Sequence, residues 1–248
     1  MITDFKIPLV ECRKEILKIY NSNFNVDYKE DESPLTLADT RTNEIICNFL
    51  RNKFEYPILS EENKIPSFNE RKKWNRFWII DPIDGTKEFV NKTDNFTVNI
   101  ALIENGVPIF GLIYLPVQDI LYFGEAFKFS LKVEDYSSNQ FVSKFLPCER
   151  TKKITFAVSP SFLNKETLEY IESCSTDYDL VKIGSSVKFC FVAEGIADVY
   201  PRFGPSSEWD IAAGHAILLG VGRDIVDLNG KSISYNKEDL KNPNFIAK

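Results

Sequence analysis

Between Phe77 and Thr86 the chain reads Phe-Trp-Ile-Ile-Asp-Pro-Ile-Asp-Gly-Thr, and this stretch limits the folds open to it. Four large apolar residues in a row show no polar alternation, so they describe a strand covered on both faces. The run ends abruptly in Asp81 and Asp84. A carboxylate set against a buried strand is costly unless something pairs with it. Pro82 has no N–H and is expected to end the ladder and turn the chain, so that the two aspartates converge. A rigid strand end with carboxylates and free carbonyls suits a hard cation. Gly85 allows close backbone approach, and Thr86 is expected to cap a helix whose N-terminus faces the same point, a setting for an anion. Metal and phosphate are therefore expected side by side. Taken alone, Asp-Pro-Ile-Asp-Gly is an ordinary polar turn. Acidic partners elsewhere in the chain shift the balance toward chemistry.

At 248 residues the chain can bury a substantial core as one large domain or two moderate ones. A net charge of −6 does not suggest a nucleic-acid-binding face, so no polymeric nucleic acid is expected as partner. An acidic protein that handles anions needs local positive charge from a metal, Lys or Arg. The five cysteines, at 12, 47, 148, 174 and 190, form no C-x-x-C pair and read as free thiols of a reducing compartment. Cys190 reads as a small core residue. The single histidine, His215, excludes a multi-histidine zinc site, and any Ser-His-Asp triad would have to use it. Asp4, Lys6 and Glu11 interrupt the N-terminal apolar residues, so no signal peptide is expected. No apolar run reaches membrane-spanning length, and a cytoplasmic location is expected without integral membrane association.

Periodicity predicts an amphipathic helix near 5–20 and a second over 37–53, with a polar loop or short strand between them. Ile58-Leu59 leads into Ser60-Glu61-Glu62, a second apolar segment that ends in acid, and a charged loop follows to Arg76. Strand-like segments 96–103 and 107–114 flank Glu104-Asn105-Gly106, an Asn-Gly hairpin signal. A further strand is expected near 120–123. Residues 128–153 read as polar and irregular, with a domain junction near their end. Beyond it strands near 154–158, 180–183 and 197–200 alternate with helices near 165–173 and 185–194. A last helix over 208–219 is expected to stop at Gly220. The division is an α+β unit over 1–150 carrying Glu61 and Asp81–Thr86, then a smaller α/β unit over 151–248 carrying Asp210.

Glu61, Asp81, Asp84 and Asp210 are the four acids that stand out. Asp210 alone reads as a first-turn acid favoured by the helix dipole. Two unit charges about 4 Å apart at an effective dielectric of about 20 repel by about 4 kcal/mol. Four converging carboxylates therefore need divalent cations, and oxygen-only ligands point to Mg²⁺, with Mn²⁺ as a substitute. Asp39 also reads as a first-turn acid; paired with the Thr86 hydroxyl it can orient and deprotonate a water.

Asp81-Pro-Ile-Asp-Gly-Thr-Lys-Glu-Phe89 together with Trp209-Asp-Ile-Ala-Ala-Gly-His215 resembles the two signatures of the inositol monophosphatase superfamily. Leu59-Ser-Glu-Glu62, Phe96-Thr-Val-Asn-Ile-Ala-Leu-Ile103, Gly184-Ser-Ser-Val-Lys-Phe-Cys190 and Tyr200-Pro-Arg-Phe-Gly-Pro205 support it, from about residue 29 to the C-terminus. Within the superfamily the chain looks like the 3′(2′),5′-bisphosphate nucleotidase branch. The resemblance implies a layered sugar-phosphatase fold of alternating α and β layers. It also implies hydrolysis that depends on two or more Mg²⁺ ions and is inhibited by Li⁺. Carried over by position, Glu61, Asp81, Asp84, Asp210 and the Ile83 carbonyl match metal ligands, and Thr86 and Asp39 match the pair that activates the water. Gly85 and Thr86 match backbone donors to the scissile phosphate. Ser185, Ser186, Lys188 and Arg202 match contacts to the rest of a small phosphorylated nucleotide, and Glu61 and Asp210 also border the substrate.

The residues agree with those roles. Gly184-Ser185-Ser186 opens a predicted helix, Lys188 adds a point charge one turn in, and Arg202 a fork of donors. On their own terms Ser185 is a plain N-cap and Lys188 a solvated lysine. One departure concerns the substrate. Related nucleotidases often carry Ser-Arg-Ser-His where this chain has Ser159-Pro160-Ser161-Phe162, so two nucleotide contacts are missing and the preference for adenosine 3′,5′-bisphosphate is weakened. The expected activity is removal of the 3′-phosphate from adenosine 3′,5′-bisphosphate. The alternatives are hydrolysis of inositol or other sugar monophosphates, and a non-catalytic module that binds Mg²⁺ or nucleotide. Peripheral attachment to the inner membrane face, which some relatives suggest, finds no basic amphipathic helix to support it. Oligomeric state is not set by the sequence.

Overall fold

The computed structural model describes residues 2–248 except 25, 29–33, 148–152 and 161–162. The first part of the chain runs α1 (Lys6–Tyr20), β1 (Asp27–Tyr28), β2 (Pro34–Leu35), α2 (Leu37–Lys53), β3 (Ile58–Ser60), α3 (Phe68–Arg71), β4 (Arg76–Asp84) and α4 (Thr86–Val90). A meander follows: β5 (Thr97–Glu104), β6 (Val107–Leu115), β7 (Ile120–Glu125), β8 (Phe129–Glu134) and β9 (Val142–Phe145). The remainder is β10 (Thr155–Val158), α5 (Lys165–Cys174), β11 (Asp179–Lys182), α6 (Val187–Glu194), β12 (Tyr200–Arg202), α7 (Glu208–Gly220), β13 (Ile225–Asp227) and β14 (Phe245–Ala247).

Strands β3 to β9 form one seven-stranded sheet in sequence order, antiparallel except for the parallel pair β3–β4. Its faces follow the period of two along each strand. Trp78 and Ile80 of β4 join Val98, Ile100 and Leu112 in a core with Phe5, Leu9 and Ile46 of the N-terminal helices. Phe77 and Ile79 join Ala101, Ile103 and Ile113 in a second core with Phe189 and Val192 of α6 and Ile211 and Ile217 of α7. That second core takes side chains from both sides of residue 150. Beyond α6 and α7 lie the parallel pair β10–β11 and the antiparallel sheet β12–β14–β13, joined by a bridge between Phe156 and Val199, and α5 packs against β12. The order is helix, sheet, helix, sheet, helix: the alternating layers that the sequence led us to expect.

Particular segments depart from expectation. The ladder of β4 does not end at Pro82. It continues to Asp84, with Asp81 opposite Asn99 and Asp84 opposite Thr97, so three steps on β4 face two on β5. Pro82 sits in this bulge, where a missing N–H costs no ladder bond. Residues 128–153 are not irregular throughout: β8 and β9 extend the sheet, β9 as an edge strand with every residue exposed and so no buried face to mark it. The charged loop before β4 contains α3, capped by Ser67, whose Arg71 is buried against the carbonyls of Lys237 and Glu238. The Asn-Gly hairpin forms as read, with φ of 50° at Asn105 and 78° at Gly106. The last helix ends at Gly220 as expected, though not through a left-handed cap at that residue; the left-handed turn falls at Gly222 (φ 75°).

Gly111 on β6 and Gly124 on β7 let α7 lie directly on the sheet. A Cβ at 111 would stand 2.2 Å from the Ala213 carbonyl oxygen, and one at 124 would stand 2.6 Å from the Ile217 Cα. Both obstacles are backbone, so neither can swing aside. Gly111→Ala is expected to cost about 2 kcal/mol or more by forcing the helix off the sheet, read as a lower urea midpoint. Gly204→Ala, where a Cβ meets nothing within 4 Å, is expected to leave that midpoint in place.

Candidate active site

Glu61 follows the last residue of β3, and its N–H is held by the Ile80 carbonyl at 3.2 Å. Asp81 and Asp84 lie at the end of β4, and Asp210 in the first turn of α7. Asp39 lies in the first turn of α2. Asp81 is only 2% exposed. Its carboxyl is held well above the usual carboxylate range, first by burial and then by the charges of Glu61, Asp84, Asp210 and Asp39 in that order. All five acids therefore share one electrostatic neighbourhood. Asp210 is pushed up to about 8 by burial and by Asp84 and Glu61, against the Ser207 N–H and Arg202, which favour its charge.

Asp39 and Asp210 each close a capping box. Thr36 N–H donates to Asp39 Oδ2 at 2.8 Å, and Ser207 N–H donates to Asp210 Oδ2 at 2.8 Å. The first-turn reading of both acids is thus correct, and it coexists with their place in the cluster. Thr86 is not the cap of α4. Gly85 takes that position with φ of 90°, and Thr86 is the first helical residue. Its freed hydroxyl reaches the Ile83 carbonyl at 3.2 Å and Asp39 Oδ1 at 3.5 Å. Asp84 Oδ2 accepts from Ser185 Oγ at 2.7 Å and from the Ser186 N–H.

A cleft opens beside these groups, lined by Asp84, Gly85, Thr86, Lys188, Arg202 and Asp210, with Ser159, Glu88 and Tyr200 also on its walls. Lys188 is 4% exposed; its Nζ donates to the Ser185 carbonyl at 2.5 Å and lies 5.1 Å from the Tyr200 ring centre. Burial lowers its pKa to about 8, opposed chiefly by Asp84. It is not the solvated lysine of the plain reading. Ser186, not Ser185, is the residue before α6, and its hydroxyl turns to Asn99 rather than to the helix end. Arg202 donates to the Pro205 carbonyl at 2.7 Å at the cleft wall. Ser161 and Phe162 lie outside the described residues.

His215 lies elsewhere. It is buried in α7, with Nδ1 2.9 Å from the Tyr235 hydroxyl and Nε2 2.7 Å from Asp224 Oδ1, which leaves no ring nitrogen for a serine nucleophile. Sequence reasoning assigned no role to Thr97, Asn99 or Glu88. The signal for the first two was present: polar side chains at alternate positions of an otherwise apolar strand.

The cluster suits a hard cation. Asp81 Oδ1 is buried and has no hydrogen-bond partner among the described residues, and the surrounding donor set is all oxygen. Among the described residues no three His, Cys, Asp or Glu side chains close to the spacing of one ion's ligand shell.

The sequence profile of the Inositol monophosphatase family matches residues 2–248. The chain belongs to this family. It is 39% identical over 237 residues to the 3′(2′),5′-bisphosphate nucleotidase CysQ of Salmonella typhimurium, covering 93% of this chain and 92% of that protein. The crystal structure of CysQ from Bacteroides thetaiotaomicron superposes with a TM-score of 0.87 at 40% identity, covering 96% of this chain and 93% of that one. An IMPase from Thermotoga maritima, 22% identical, shares the fold with a TM-score of 0.78, covering 98% and 89%. No helix among the described residues is long and apolar enough to cross a membrane.

The raised Asp210 carboxyl sets a pH dependence. The folded protein binds that proton more tightly than the unfolded chain, so stability falls as pH rises from about 4 toward 8. In metal-free buffer the thermal midpoint is expected to drop between pH 5 and 8, and less steeply in Asp210→Asn. Added Mg²⁺ is expected to raise the midpoint more at pH 8 than at pH 6, since binding must displace those protons.

Proposed function

We propose that this member of the family is a Mg²⁺-dependent phosphatase that removes the 3′-phosphate from adenosine 3′,5′-bisphosphate, giving AMP and phosphate. That it is a phosphoric monoester hydrolase follows from its family. The substrate rests on its likeness to the CysQ nucleotidases, and a cytoplasmic setting on the free thiols at Cys12, Cys47, Cys174 and Cys190. The observation that carries the chemistry is the buried, unpartnered Asp81 Oδ1 inside a ring of carboxylates, with the Thr86–Asp39 pair at its edge.

Glu61, Asp81, Asp84, Asp210 and the Ile83 carbonyl would hold the ions. Bound there, Mg²⁺ lowers the pKa of a water and offsets charge on the phosphate oxygens. The chain's own groups do the rest. The Thr86 hydroxyl, shared between the Ile83 carbonyl and Asp39 Oδ1, fixes where a water sits, and Asp39 is the acceptor for its proton. The Gly85 and Thr86 N–H groups, at the start of α4, would orient the scissile phosphate. Lys188 and Arg202, with the turn at Ser185 and Ser186, border the same cleft and would hold the rest of the nucleotide. In this arrangement residues 1–150 supply Asp39, Glu61 and the Asp81–Thr86 turn, and 151–248 supply Asp210 and the nucleotide contacts.

The test is phosphate release in Mg²⁺ with adenosine 3′,5′-bisphosphate and with inositol 1-phosphate at equal concentration. A higher rate on the nucleotide is expected; a higher rate on the inositol ester would keep the mechanism and replace the substrate. Asp84→Asn is expected to lower kcat/KM at least 1,000-fold, roughly 4 kcal/mol of lost transition-state stabilisation, while the circular dichroism spectrum is retained. Near-normal turnover in that variant would remove Asp84 from the mechanism.

A further inference from the structure

Behind Asp84 lies a polar cluster in which Thr97 and Asn99, given no role above, meet the turn at Ser185 and Ser186. Thr97 and Asn99 of β5 are 0% and 1% exposed, and Asn99 stands directly opposite Asp81 in the β4–β5 ladder. Ser185 Oγ lies 2.7 Å from Asp84 Oδ2, and Thr97 Oγ1 lies 2.7 Å from both Ser185 Oγ and Ser186 Oγ. The Asn99 amide completes the set, with Oδ1 2.8 Å from Ser186 Oγ and 3.2 Å from Thr97 Oγ1.

The protons do not balance with Oδ1 in that place. A carboxylate and an amide oxygen only accept, and each hydroxyl has one proton. The three hydroxyls of Thr97, Ser185 and Ser186 would then supply three protons to five contacts. Meanwhile Asn99 Nδ2 is buried with no partner among the described residues. A half-turn of the amide exchanges its ends without moving another atom, and which end faces a neighbour is decided by the hydrogen-bond network. With the nitrogen toward the hydroxyls, two more protons enter and all five contacts are served. The order is then fixed: Asn99 N–H to Ser186, Ser186 O–H to Thr97, Thr97 O–H to Ser185, Ser185 O–H to Asp84 Oδ2, with the second amide proton on Thr97. The exchanged amide oxygen takes the buried position on the face that also carries Asp81, whose Oδ1 lacks a donor as well.

We propose that Asn99 and Thr97 are positioning residues: they drive a one-way hydrogen-bond chain through Ser186 and Ser185 that pins Asp84 Oδ2 and leaves Oδ1 to bind a cation. The chain has one direction because its last acceptor cannot donate. It ties the strand under Asp81 to the turn before α6, so one rigid network orients the Asp84 carboxylate before any ion arrives. This rests on the metal reading above.

The probe is Mn²⁺, whose free-ion EPR signal disappears on binding, titrated into the metal-free protein without substrate. Thr97→Val keeps the shape and cuts the chain; Thr97→Ser restores the hydroxyl. Mn²⁺ binding about 10- to 100-fold weaker in Thr97→Val, with Thr97→Ser near wild type, is expected. Asn99→Leu is a second cut, and the double variant is expected to bind no more weakly than either single one, because a broken chain cannot be broken again. Thermal midpoints of all variants are measured alongside, since a merely structural hydroxyl would lower the midpoint and leave Mn²⁺ affinity unchanged. Unchanged affinity in Thr97→Val, or additive losses in the double variant, would overturn the chain while leaving the metal site standing. A wild-type protein that binds no Mn²⁺ would overturn both.

Discussion

Crowded negative charge at the end of β4 is the constraint to which the rest of the structure responds. Asp81 is buried among four other acids, and burial is the largest cause of its raised pKa. Like charges so placed tend to push the strand ends apart. What holds them is a set of N–H donors at helix starts. Asp39 folds back on Thr36 at the start of α2, Asp210 on Ser207 at the start of α7, and Asp84 receives the N–H of Ser186 just before α6. Three helices thus turn their positive ends toward one point, where they stabilise carboxylates and suit an anionic substrate.

That convergence depends on how closely α7 can lie on the sheet. Gly111 and Gly124 leave no side chain between the sheet and the backbone of α7, which carries Asp210 at its first turn. Gly214 does the same for α6, since a Cβ there would meet the Phe189 ring at 2.5 Å. At the far end of α6, Glu194 accepts from the Tyr122 hydroxyl at 2.6 Å and lies 2.8 Å from Lys132 Nζ, which anchors the helix to β7 and β8. His215 serves the same kind of purpose in α7, tied to Tyr235 and Asp224. Polar groups far from the cleft keep the helix starts where the cleft needs them.

Much of this was legible along the chain because its signals are local. The apolar run into Asp81, the Asn-Gly reversal at Asn105-Gly106 and the acids opening α2 and α7 all depend on neighbours within a few residues. The illegible parts depend on distant ones. Gly220 ends α7, and it is also a close-approach glycine against Ser130, which only packing reveals. The edge strand β9 alternates too weakly to declare itself, because its exposed residues carry no buried face. Lys188 reads as a surface lysine until the Ser185 carbonyl and the Tyr200 ring are seen around its ammonium.

The sequence by itself determined the kind of chemistry: oxygen ligands at a strand end, a hydroxyl beside them, and two acids at helix starts that match them. These follow from residue type and spacing, which covalent connectivity fixes. The fold decided that Asp39 and Asp210, while capping their own helices, also face the cluster, that Pro82 sits in a bulge rather than ending the strand, and that Thr97 and Asn99 back Asp84. Each of those depends on segments distant in sequence meeting at the end of β4. Which oxygen meets which proton is set by that meeting, and no spacing along one strand encodes it.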